Sequence, residues 1–231
     1  GKQVCAEAYR VAIGYRAGAT SLGYYQSADF LYNNVLDVIV APLFGVATAS
    51  LSKVRHDLAE FRRLWGKGLS TLAFFSMPVF GILAITSQDV VVLLLGAKWS
   101  HGGTLLAILA LRGIPHTIER SLGWLHVAAG RTDRWMRWGV GAAGIQLAAL
   151  LCGLQFGATG VVIAYVACTF VLFIPAIAYA GRPLNIGAAD VIRAVWRPLA
   201  GSLSAAAVGF VVRHTVLADV SNVVRTAALT L

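Results

Sequence analysis

From Gly139 to Gly181 the chain runs 43 residues without a Lys, Arg, Asp or Glu. A spanning helix needs about 20 mostly apolar residues, so this stretch is long enough for two crossings. Gly153, Gly157 and Gly160 mark the turn between them. Only 13% of the 231 residues are charged and 58% are hydrophobic, against about 25% and about 45–50% in ordinary soluble domains. With a mean hydropathy of +0.74, too few charges exist to cover a soluble globule. The same apolar content excludes a disordered chain. Three cysteines, Cys5, Cys152 and Cys168, form no close pair and no disulfide framework. The class that is left is all-α, a polytopic transmembrane helix bundle.

Further spans follow from the same criterion. Residues 68–88 carry no charge, and after Asp89 the apolar run continues to Gly96. Residues 199–218 form another candidate, and Asn222 opens a run that reaches Leu231. Two segments are long enough but carry polar groups: 28–49, with Asp29, Asn33, Asn34 and Asp37, and 104–129, with Arg112, Pro115, His116, Glu119 and Arg120. Between clear spans, both read as helices turned toward a protein interior or a watery cavity. The expected spans are 1–16 (partial), 28–49, 68–95, 104–129, 139–155, 159–180, 199–218 and 222–231 (partial). They make one transmembrane domain over 1–231, read as a fragment of a longer protein because no initiator Met opens it and an apolar run closes it.

The net charge is +9. In a soluble protein that would suggest nucleic acid; here the cations sit in short clusters between apolar runs, so no nucleic-acid partner is expected. Loop 50–67 carries five basic residues, loop 130–138 three and loop 182–197 three, and these alternate with charge-poor loops around Lys98, Gly157 and Asp219. The positive-inside rule then makes the basic loops cytoplasmic in a multi-pass membrane protein. Within the basic loops, Val54, Leu58, Phe61 and Trp65 recur at helical spacing, as do Ile192, Val195 and Trp196, which predicts helices lying in the membrane interface. Gly201, Ala205 and Gly209 form a ladder of small residues suited to close helix packing.

The third span carries the most informative set. Arg112, His116, Glu119 and Arg120 share a sector of roughly 100°. Each ionised group at mid-membrane costs about 2.5–3.5 kcal/mol on insertion scales, so this face requires partners or water. An internal salt bridge through Glu119 accounts for part of it; the surplus of positive charge favours an anionic ligand. On the first span, Gln26, Asp29, Asn33 and Asp37 share a face, and Asp37 suits either pairing with an arginine of the third span or cation coupling. Arg10 and Arg16 would add positive charge to the same interior. The expected cavity set is therefore Arg112, His116, Glu119, Arg120, Asp37, Asn33, Arg16 and Arg10.

Catalytic signatures are missing. The sequence has no DxD, no Gly-rich phosphate loop and no metal-spaced Cys/His cluster. His214 and Asp219 fit a short HxxxxD pattern without supporting elements. No enzyme activity, cofactor or metal is expected.

Four segments resemble the Wzx-type polysaccharide and lipopolysaccharide exporters of the multidrug/oligosaccharidyl-lipid/polysaccharide superfamily. They are IGYRAGATSLGYYQSADFLYN at 13–33, SLSKVRHD at 50–57, VVVLLLGAKWSHGGTLLAILAL at 90–111 and AAGRTDRWMRWG at 128–139. The G-x-K-W turn is the most specific of these elements. Where the family often has Pro before the loop serine, this chain has ATAS. The resemblance implies the C-terminal half of a two-lobed transporter, moving a lipid-linked oligosaccharide or polysaccharide precursor across the membrane by alternating access. An anionic polyprenyl-linked saccharide would then be the substrate, with the lipid bilayer as surroundings and a polysaccharide polymerase and other assembly proteins as candidate partners. Guanidinium groups suit such a substrate because they bind phosphate at two points. The competing readings are a cation-coupled multidrug exporter of the same superfamily, which needs an acidic cavity; a non-transporting membrane partner, which needs no charged stripe; and a membrane-bound transferase, which lacks its motifs.

Overall fold

The computed structural model describes the backbone of residues 2–128 and 130–229, and side chains at residue 14 and over 18–128 and 130–209. Six long helices follow one another: α1 Lys2–Lys53, α2 Leu58–Leu95, α3 Ser100–Ala128, α4 Thr132–Gly153, α5 Gly157–Gly181 and α6 Ala188–Leu229. Among the described residues there is no strand. The chain is an all-α transmembrane bundle.

Each turn has a local cause. Gly18 sits inside α1 at φ 84°, ψ 166°, a conformation open to glycine and closed to a residue with a Cβ. It divides a first helical segment from the long one that ends at Lys53. Asp57 starts α2, its carboxylate accepting from the amides of Ala59 and Glu60 at 3.0 Å each, which satisfies two of the orphan donors of a helix start. Gly96 stops α2 at φ 91°, its amide returning to the Val92 carbonyl at 2.9 Å. Gly130, at φ 66°, follows the end of α3, and Gly157, at φ 71°, ends the short turn Leu154–Phe156 and opens α5.

On length and composition, three segments among the described residues can cross a membrane: Gly18–Lys53, Leu58–Leu95 and Thr132–Leu184. The last contains both α4 and α5, the two crossings expected from the charge-free stretch. Although too polar to meet that criterion, α3 is the most enclosed helix: 19 of its 29 residues are buried, against 3 of 22 in α4. It packs against α1, α2, α4 and α5. Glycines set the crossings. A Cβ on Gly113 would collide with the buried ring of Phe80 on α2, and a Cβ on Gly153 would lie 2.8 Å from the Gly160 carbonyl across the α4–α5 turn.

Four local features differ from the sequence reading. The first full span runs past 49 to Lys53, since no proline interrupts ATASLSK. The amphipathic stretch after Asp57 is the start of α2: Phe61 and Trp65 are buried, and Trp65 Nε1 donates to the Ser121 carbonyl at 3.3 Å. At about 1.5 Å per residue the 38 residues of α2 reach about 57 Å, well beyond a hydrocarbon core of about 30 Å. Third, residues 199–218 and 222–229 belong to one helix, Ala188–Leu229, because no Gly or Pro follows Gly209 to break it. Fourth, Gly201 and Gly209 have nothing within 4 Å of their Cβ positions. There α6 packs through the neighbouring face, with the Ser202 carbonyl and Ala206 Cβ at 4.0 and 3.8 Å from the Cβ position of Gly81.

Candidate functional site

The polar residues of α3 divide among three neighbours. Arg112 is 4% exposed, enclosed between α1 and α5. Its guanidinium carbon lies 4.1 Å from the ring centroid of Tyr165 and 5.8 Å from that of Tyr32. Arg112 Nε donates to Thr169 Oγ1 at 3.0 Å, and Thr169 donates in turn to the Tyr165 carbonyl. Buried charge requires such compensation: ring faces supply negative potential and the hydroxyl an acceptor. One turn along, His116 is also 4% exposed and shares a 2.8 Å hydrogen bond between Nδ1 and Tyr32 Oη. The two rings stack at 6.0 Å, and Phe80 lies against Tyr32 from α2.

A second arrangement opens outward. Arg120 Nη2 lies 3.6 Å from Asp37 Oδ1, with the two side chains 39% and 64% exposed. Arg120 Nε is buried and has no hydrogen-bond partner. Phe30, two turns before Asp37 on the same side of α1, is exposed, as is Asn34 beside it. Pairing of Asp37 with an arginine of the third span is thus what the structure contains. Asn33 bonds within its own helix, Nδ2 to the Asp29 carbonyl at 2.8 Å. Glu119 turns the other way and lines a cavity of about 20 Å³ with Trp138, Gln146 and Thr169. The side chains of Arg10 and Arg16 lie outside the described residues, as do those of His214 and Asp219.

The structure therefore brings together Arg112 with His116, and Arg120 with Asp37, while Glu119 and Asn33 belong to separate contacts. Sequence reasoning missed Tyr32, Tyr165 and Thr169, which hold Arg112 and His116. Tyr165 and Thr169 stand at i and i+4 inside the charge-free stretch, and that spacing was the available signal. Among the described residues no group of His, Cys, Asp and Glu could hold a metal ion.

A bundle of long apolar helices around a buried arginine defines a polytopic membrane protein with a polar seam. Over residues 2–102 the chain matches the family described as "Polysaccharide biosynthesis protein". Over 142 residues, 58% of this chain, it is 25% identical to the lipopolysaccharide biosynthesis protein WzxC of Escherichia coli (strain K12). These two matches make the chain similar to polysaccharide and lipopolysaccharide biosynthesis proteins over the part of it that they cover. The match spans 29% of that relative's length. No solved structure matches the chain.

Proposed function

We propose that the chain is part of a transporter that carries a lipid-linked oligosaccharide or polysaccharide precursor across the bacterial inner membrane, with the basic loops cytoplasmic. The observation that carries this reading is the half-exposed Arg120–Asp37 pair at mid-span, on the face of α1 that also carries Gln26, Asp29 and Asn33. An ion pair open to lipid is costly, so this face belongs against a wet cavity shared with further parts of the protein. The unpartnered Nε of Arg120 is a donor ready for a phosphate oxygen, and Asp37 keeps the guanidinium aimed until the substrate arrives. Arg112 forms the next layer in and adds positive potential in a low-dielectric interior, while His116 holds Tyr32 against it. Asn33, Arg10 and Arg16 complete the proposed polar lining, while Glu119 faces its own cavity beside Gln146 and Thr169. Salt-bridged to Arg120, Asp37 is a poor receptor for a cationic drug, which disfavours the multidrug alternative.

The test is Arg120→Gln, made in the protein as its own cell produces it. A charge-assisted hydrogen bond is worth about 1.5–3 kcal/mol, so surface polysaccharide should fall on the order of tenfold at normal protein abundance. Arg120→Lys should restore part of the loss, since it keeps the charge without the two-point contact. Full export in the Gln variant at normal abundance would sink the proposed role.

A further inference from the structure

Away from the polar seam, two basic segments distant in sequence meet at one end of the bundle. Arg62, Arg63, Lys67 and Ser70 of α2 and Asp190 and Arg193 of α6 surround an open cavity of about 320 Å³. Its single carboxylate is already engaged: Asp190 Oδ2 takes Arg62 Nη2 at 3.2 Å and the Gly187 amide at 2.9 Å. Arg63 is held by Glu60 on its own helix. Lys67 and Arg193 have no carboxylate partner among the described residues. Two cations without a contacting carboxylate therefore face one concavity.

What lies above the cations indicates their ligand. Arg63, Lys67, Ser70 and Phe74 stand at i, i+4, i+7 and i+11, so they form one stripe up α2. The stripe reads cation, cation, hydroxyl, aromatic, and Phe74 is 63% exposed. The floor is apolar, from Trp65 and Ile186. Charged phosphate, ester carbonyl and acyl chain follow one another in the same order along a glycerophospholipid entering a bilayer. Basic pockets between helices at a membrane surface are suited to such heads.

We propose that this cavity binds the phosphate of an anionic phospholipid from the leaflet at the basic end of the bundle. Lys67 and Arg193 grip the phosphate, Ser70 donates to the glycerol ester, and Phe74 borders the acyl chain. The bound lipid bridges α2 and α6. This site is separate from Arg120 and Asp37 and requires only that the bundle sits in a membrane, so it stands or falls apart from the transport reading.

The experiment titrates phosphatidylglycerol, with phosphatidylcholine as reference, onto the detergent-solubilised full chain and counts bound lipid by native mass spectrometry. Wild-type protein should prefer phosphatidylglycerol. Combined Lys67→Gln and Arg193→Gln should weaken it about thirtyfold, from about 1 kcal/mol for each cation near a surface. Combined Lys53→Gln and Arg55→Gln, at the same end but outside the cavity, should leave it unchanged. Lys67→Arg with Arg193→Lys keeps the charges and should keep the preference, which provides a reading if the neutral pair does not fold. Equal weakening by the outside pair, loss in the charge-keeping pair, or no weakening in the neutral pair overturns the site. Displacement of the lipid by millimolar inorganic phosphate would make it a free-anion site and overturn the lipid assignment.

Discussion

Arg112 is the costliest side chain in the described core to bury, and every contact around it offsets that cost. Two tyrosine faces and the Thr169 hydroxyl take the place of water. Asp190 is the opposite case, a carboxylate at the rim whose charge is favoured. The Gly187 amide first, and then the Arg62 guanidinium, hold its carboxyl below the ordinary 3.8. A depressed carboxyl in the folded state stabilises the fold above its unfolded pKa, and that contribution disappears as pH falls through the folded value. Acidification below about pH 4 should therefore lower the thermal midpoint of the wild type more than that of Asp190→Asn. The contribution is small, because the pair is partly exposed. Parallel midpoint-against-pH curves for the two proteins would show that the pair contributes nothing.

At the scale of helices, the fold depends on where backbones approach. Gly113 lets α3 lie against Phe80 of α2 with no room for a methyl group. Gly113→Ala should destabilise the bundle by about 1–3 kcal/mol, the usual cost of overpacking. The check is the thermal midpoint of the detergent-solubilised protein; an unchanged value would mean that Phe80 swings aside freely. Two segments that carried the family resemblance also prove to be one contact. Tyr24 of LGYY packs edge-on against Trp99 of GAKW at 5.6 Å, and Tyr24 Oη donates to the Lys98 carbonyl at 3.2 Å. Helix class and most turns were legible because charge-free runs, glycines and Asp57 act locally. The break expected around Asp219 was not, since a lone charge does not stop a helix without Gly or Pro. Nor was the division of the α3 sector: helical periodicity places Arg112, His116, Glu119 and Arg120 on one face, but the neighbours α1, α4 and α5 decide which partner each one meets. The ladder Gly201, Ala205, Gly209 failed for the same reason, because small residues permit close packing without specifying a partner.

For the molecule as a whole, the contacts sort the turns into two ends. At one end, residues of α1, α2 and α3 close a shared pocket around Leu51, Trp65 and Trp124, α2 meets α6 through Arg62 and Asp190, and Arg134 donates to the Tyr179 carbonyl. At the other, Tyr24, His101, Phe156 and Thr159 line one cavity of about 400 Å³. The three basic segments, with five, three and three cations, all fall at the first end, and the second has Lys98 in its turns. Such an imbalance orients a membrane protein with its basic end in the cytoplasm. In a chain whose three native cysteines are replaced by serine, single Cys at Lys53, Arg134 and Arg193 should resist a membrane-impermeant thiol reagent applied to intact cells. Single Cys at Lys98 and Gln155, exposed at the opposite end, should react. Because packing fixes which turns share an end, the five sites must report as two groups. Labelling of the three basic-end sites alone would invert the orientation. A mixed pattern within either group would contradict the bundle itself.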